Sequence, residues 1–121
     1  MNDFIKNLLS CYDTQQLGKI KDFLLSEIDD DNVQETIDFV ECNDSLKKEK
    51  YKNILYHGNV YEGFFIEGNQ YLIGSNQTEV TIIDIVSENN GVNKNNTRFN
   101  MSIKVFITLI NNKKEIIAKN T

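Results

Sequence analysis

Midway along this chain the spacing of its apolar residues changes, from the three-to-four period of helices to the alternation of strands. Early on, Phe4, Ile5, Leu8, Leu9 and Tyr12 recur at helical spacing behind a cap at Asn2 or Asp3. Asp13 and Gln16 have the spacing of a capping box and open a second helix with the stripe Leu17, Ile20, Leu24 and Ile28. Asp31 and Gln34 repeat that signal ahead of a third stripe, Val33, Ile37 and Val40. A fourth segment, Ser45 to Tyr56, follows Asp44 as a possible cap and fits both periods: LKKEKYK favours helix and YKNILYH a first strand.

Strands are predicted beyond this point. Val60 to Ile66 and Gln70 to Ile73 flank Glu67-Gly68-Asn69, a short glycine-containing loop of hairpin type. Thr78 to Ser87 follows the turn cluster GSNQ. The clearest alternation is RFNMSIKVFITLI, where Phe99, Met101, Ile103, Val105, Ile107 and Leu109 interleave with Asn100, Ser102, Lys104 and Thr108. Phe106 and Ile110 interrupt its polar side, which marks that side as a protein contact surface. A last strand, Glu115 to Lys119, pairs through Asn111-Asn112-Lys113-Lys114.

Helices first and hairpin-connected strands second imply an α+β fold. Three to four N-terminal helices pack on one face of a C-terminal antiparallel sheet of four to six strands. A single domain over 1–121 is expected, helical through 1–50 and sheet-forming through 51–121, and twelve aromatic rings suffice for one core. No βαβ alternation or phosphate-binding glycine loop supports a nucleotide-binding fold.

Charge excludes several partners. The net charge of -5 disfavours phosphate backbones and anionic membrane, and Arg98, Lys104 and Phe106, with Tyr56, Tyr61 and Phe65, are too few for a nucleic-acid track. No apolar run approaches the roughly 18 residues of a bilayer span. Leu8-Leu9-Ser10-Cys11 has the form of a lipoprotein box, but Asp3, Lys6 and Asn7 deny it an apolar leader. Cys11 and Cys42 make no disulfide framework, so reduced thiols and a cytoplasmic setting are expected. Seventeen Asn, fifteen Ile and twelve Lys beside one Arg reflect an AT-rich coding bias, which removes meaning from NNGVNKNN and from the sequon Asn95-Asn96-Thr97.

Nine carboxylates lie between residues 22 and 46 without one Lys or Arg among them: Asp22, Glu27, Asp29, Asp30, Asp31, Glu35, Asp38, Glu41 and Asp44. With Asp30 at position one of a calcium loop, Asn32, Gln34, Asp38 and Glu41 fall at three, five, nine and twelve. The sixth position holds Glu35 where glycine is needed, and the stripe Val33, Ile37, Val40 requires a helix, so no metal is expected. Paired-carboxylate catalysis fails because these acids fall on the solvent side of helices. Asp84 alone shares the face of Val80, Ile82 and Val86, as a strand-end residue or a partly buried acid. His57 is the one histidine, and a thiol partnership with Cys11 or Cys42 needs the fold to bring them together. No catalytic residue and no cofactor are assigned.

Residues 1 to 50 hold twelve acids and six bases, residues 51 to 121 six acids and seven bases. Such a polar molecule points to a basic protein partner. The expected function is a stoichiometric inhibitor, of the kind seen in immunity proteins of bacterial toxin systems and phage-encoded inhibitors, that covers a nucleic-acid-facing surface with Asp29, Asp30, Asp31, Glu35, Asp38, Glu41 and Asp44. The alternative is a cone-shaped helix-plus-curved-sheet pocket protein, with Asp84, Tyr56 or His57 facing a small molecule.

Overall fold

Four helices followed by antiparallel strands match the two-period plan in order, and the chain beyond Ser102 departs from it most. The computed structural model describes residues 3–50, 52–53, 64–76, 78–92 and 97–118. Four helices come first: α1 (Asp3–Leu9), α2 (Thr14–Glu27), α3 (Val33–Glu41) and α4 (Asp44–Lys50). Strands β1 (Lys52–Asn53), β2 (Phe64–Glu67), β3 (Tyr71–Ser75) and β4 (Glu79–Asp84) follow, then α5 (Ile85–Asn89), β5 (Arg98–Ser102), α6 (Ile103–Asn111) and α7 (Lys113–Ala118). The five strands form one antiparallel sheet in chain order, with Phe65 opposite Gly74, Ile73 opposite Ile82 and Val80 opposite Met101.

Strand alternation sorts the sheet's apolar residues onto two faces. Tyr71, Ile73, Val80, Ile82 and Met101 join one core with Ile20, Phe23 and Leu24 of α2 and with Phe39 and Val40 of α3. Phe23 meets the Tyr71 ring edge-on at 5.5 Å and the Phe106 ring at 6.0 Å, so the space between helices and sheet is filled with aromatic side chains there. Phe65, Leu72 and Ile83 form a second, smaller buried cluster. Every residue of β3 is buried, so this strand is covered on both faces.

The local signals explain where helices begin. Asp13 and Gln16 close both arms of the expected capping box, with Gln16 N–H donating to Asp13 at 2.7 Å and Asp13 N–H to Gln16 Oε1 at 3.0 Å. The cap expected from Asp31 and Gln34 lies elsewhere: Asp29 accepts from the N–H groups of Asp31 and Asn32 at 2.8 and 2.9 Å, and Asn32 Oδ1 accepts from Asp29 N–H at 3.0 Å. Asn43, not Asp44, caps α4 by accepting from Leu46 N–H at 2.9 Å. The ambiguous segment from Ser45 is thus helical to Lys50 and extended at 52–53; residues 54–56 lie outside the described residues. Lys47 is buried on α4, its Nζ donating to Ser75 Oγ at 3.1 Å and lying 5.3 Å from the Phe39 ring centroid.

Two strand predictions are overturned. The run expected to stay extended from Arg98 to Ile110 ends as a strand at Ser102, whose side chain accepts from Val105 N–H at 3.1 Å and starts α6. IKVFITLI is apolar enough to fit both periods, and the two residues that break its alternation mark the helical stripe. Phe106 and Ile110 are buried in the core with Leu109, so they form no contact surface. Lys113–Ala118 is likewise helical, with Ile116 buried where a strand was expected, so the second half carries helices as well as the sheet. The strand predicted from Thr78 to Ser87 ends at Asp84, which accepts from Ser87 N–H and makes Ile85 to Ser87 the start of α5; that from Val60 is described from Phe64 onward.

Candidate functional site

Successive α-helical residues rotate by about 100°, which gathers Gln34, Glu35, Asp38 and Glu41 within an arc of about 120° on α3. All four are exposed. The opposite side of the helix buries Thr36, Phe39 and Val40, so the acidic stripe is fixed in direction by the core. Gln34 Nε2 donates to Asp38 Oδ1 at 2.9 Å. Among the described residues, Asp30, Asp31, Glu35 and Glu41 make no side-chain hydrogen bond or ion pair. Asp31 is exposed in the turn that leads into α3, and Asp44 opens α4 just beyond its end.

Three of the nine carboxylates have structural work instead. Asp29 closes the turn before α3. Asp22 accepts from the Tyr71 hydroxyl at 2.5 Å. Glu27 is buried against the loop between β2 and β3, where its carboxylate accepts the backbone N–H of Asn69 at 2.9 Å, Gln70 at 2.7 Å and Tyr71 at 2.6 Å. Gly68 makes this approach possible, because a Cβ there would sit well inside 3.0 Å of both Glu27 oxygens. The signal for Glu27 is its place on the buried stripe of α2, three residues after Leu24 and seven after Ile20.

Asp84 proves to be both of the things expected of it, a strand-end residue and a buried acid. Lys19 Nζ donates to it at 2.9 Å, Gln70 Nε2 approaches at 3.2 Å, and Ser87 donates through its N–H at 3.1 Å and its hydroxyl at 2.8 Å. Burial pushes this carboxyl up, but the Lys19 ammonium and the Ser87 donors outweigh it and hold the group below the usual carboxylate range. Tyr71 moves the other way: burial first, then its hydrogen bond to Asp22 and the charges of Asp22, Asp84 and Glu27, push its phenol far above the usual value. Around pH 7 Asp84 is a charged acceptor and Tyr71 a neutral donor, and each is engaged in holding α2 to the sheet.

The calcium-loop spacing does not form a loop, since Val33 to Glu41 is helical and Asn32 and Gln34 spend their amides on protein partners. No group of three or more His, Cys, Asp or Glu side chains among the described residues could hold a metal ion. Cys11 is exposed and Cys42 half-buried, both as free thiols, while Tyr56 and His57 lie outside the described residues. No helix among the described residues is long and apolar enough to cross a membrane.

Two cavities flank the base of α3. The larger, about 530 Å³, runs between Asp29 and Asp30 on one side and Lys113 and Lys114 on the other, and Lys113 donates to the carbonyl of Ile28. Those lysines bring positive charge to the N-terminal end of the acidic segment, so its uncompensated part is Asp31, Glu35, Asp38 and Glu41. The smaller, about 210 Å³, lies between α3 and the loop that joins β2 to β3, lined by Asn32, Glu35 and Thr36 and by Ile66, Glu67 and Gly68. Comparison with protein-family models, with curated protein sequences and with solved structures finds no match for this chain.

Proposed function

We propose that this chain is a stoichiometric protein-binding inhibitor that docks the acidic stripe of α3 on the basic surface of a partner. An immunity protein that neutralises a toxin by covering its nucleic-acid-facing surface is the specific form of this reading. The observation that supports it is a core-anchored helix with Glu35, Asp38 and Glu41 exposed on one face and no cation paired with them among the described residues. Carboxylates so arranged take the place of phosphates in pairing with Lys and Arg, and their shared field steers encounter.

Association with cationic nuclease domains over about 50 to about 500 mM salt tests this, because the Debye length then shrinks from about 14 Å to about 4 Å. Binding of one such domain is expected to slow about tenfold or more across that range, and to slow similarly at low salt on combined Asp31→Asn, Asp38→Asn and Glu41→Gln substitution. Association rates indifferent to both changes rule the reading out.

A further inference from the structure

A row of exposed carboxylates accelerates encounter, but affinity requires an anchor that is desolvated in the complex. The smaller cavity has the form of a seat for one. At about 210 Å³ it is below the range of small-molecule pockets and suits a single side chain. One wall is apolar, from half-buried Ile66, buried Ile73 and the Tyr71 ring; the mouth carries Glu35 on α3 and Glu67 at the end of β2. Glu27 closes the inner end, more than nine-tenths buried, and its charge is met by three backbone amides but by no cationic side chain among the described residues.

We infer that this cleft receives one arginine side chain from the basic partner. The inference rests on the docking reading above and specifies its central contact. An arginine presents an aliphatic stem and a planar, always charged fork. Here the stem lies on Ile66 and Ile73 and the guanidinium sits between the carboxylates of Glu35 and Glu67, with Glu27 behind. A lysine would supply the charge but only a point of attachment, whereas the fork reaches two carboxylates at once.

N-acetyl-arginine amide, titrated into the isotope-labelled chain and followed by backbone amide shifts, supplies the test without an identified partner. Saturable shifts centred on Thr36, Ile66 and Gly68 are expected, about fivefold weaker for Glu67→Gln and within about twofold of the native chain for Asp38→Asn with Glu41→Gln. Glu67 is exposed and its side chain has no partner among the described residues, so its substitution leaves folding intact. Shifts that do not saturate, that spread evenly along α3, or that are unchanged by Glu67→Gln overturn the cleft. Equal affinity for N-acetyl-lysine amide overturns the assignment to a guanidinium. If the α3 substitutions abolish partner binding while Glu67→Gln leaves it at full strength, the docking stripe stands and the arginine seat does not.

Discussion

Replacing Glu27 by Gln isolates what the clamp on the β2–β3 loop contributes. The amide has one oxygen, which still accepts from the N–H groups of Gln70 and Tyr71 but turns two charge-assisted bonds into neutral ones; its nitrogen then faces the N–H of Asn69. Loss of charge assistance costs about 1 kcal/mol for each of the two bonds, and the third, at an exposed residue that water can serve, costs about half as much. Destabilisation of about 2.5 kcal/mol is expected, and with an unfolding entropy of roughly 0.25 kcal/mol/K for 121 residues the midpoint falls by about 10 °C. Gly68→Ala attacks the same contact from the other side, since the new methyl displaces the Glu27 carboxylate from its three donors. Urea denaturation of Glu27→Ala, of Gly68→Ala and of the two combined closes a double-mutant cycle. Gly68→Ala should cost about 2 kcal/mol alone but under about 0.5 kcal/mol once Glu27 is Ala. A Glu27→Gln variant within about 0.5 kcal/mol of the native chain, or additive costs in the cycle, refutes the clamp.

Lys19→Met leaves Asp84 buried without its cation and costs about 2 kcal/mol at neutral pH, less than a fully buried pair because Lys19 is partly exposed. Because the folded-state value of Asp84 is lowered, its contribution is complete above the ordinary carboxylate range near pH 4 and is lost as pH falls through the lower folded value; acid unfolding of Lys19→Met should therefore begin at higher pH than that of the native chain. Tyr71 has the opposite sign: its raised value keeps the folded phenol neutral, so its stabilisation is full below about pH 10 and is lost as pH rises further, an alkaline loss that Tyr71→Phe should reduce in circular dichroism titrations. Ser102→Ala removes the α6 cap at a cost of about 1 kcal/mol, whereas Phe106→Ala opens the core at a cost of about 3 to 5 kcal/mol; a surface strand would make both nearly neutral to thermal melting.

Period placed the first three helices, and in α2 the cap signal agreed with it, so the fold was most legible there. Ile20, Leu24 and Ile28 are buried as the stripe predicts, and Asp13 with Gln16 closes the box that their spacing announces. The same logic misjudged Ile103 to Leu109 because a segment with so many apolar residues satisfies a period of two and a period of 3.6 together. What decided it was chemistry at the junction: Ser102 can cap a helix, and burying Phe106, Leu109 and Ile110 on one stripe fills the space beside Phe23. KKEIIA carries too few residues to show either period, and the turn at Asn112 joins it to α6 so that Ile116 reaches the core.

The acidic segment was legible as charge and illegible as geometry. Counting carboxylates treats all nine alike, and although the stripe of α2 turns Glu27 inward, nothing in the sequence beside it says which donors it meets there. Glu27 and Glu35 illustrate the difference. Both are helical, but Glu27 shares the face of Ile20 and Leu24 and so meets a hairpin loop more than forty positions away, while Glu35, one turn before Phe39 at the edge of the buried stripe, stays in solvent. The contact with Gln70 and Tyr71 depends on where the β2–β3 turn arrives in space, which only the packed sheet determines. That turn also brings Glu67 to the mouth of the cleft beside Glu35, from a part of the chain whose net charge is slightly positive. The acidic surface available to a partner is therefore both smaller and more sharply shaped than the sequence implies: Asp22, Glu27 and Asp29 are committed to the fold, Lys113 and Lys114 offset the field near Asp30, and Glu67 extends what remains across to the sheet. Charge-reversal at Glu67 should for that reason weaken docking more than reversal at Asp30, the outcome opposite to that expected from the density of acids along the chain, and association rates of the two variants at low salt decide between them.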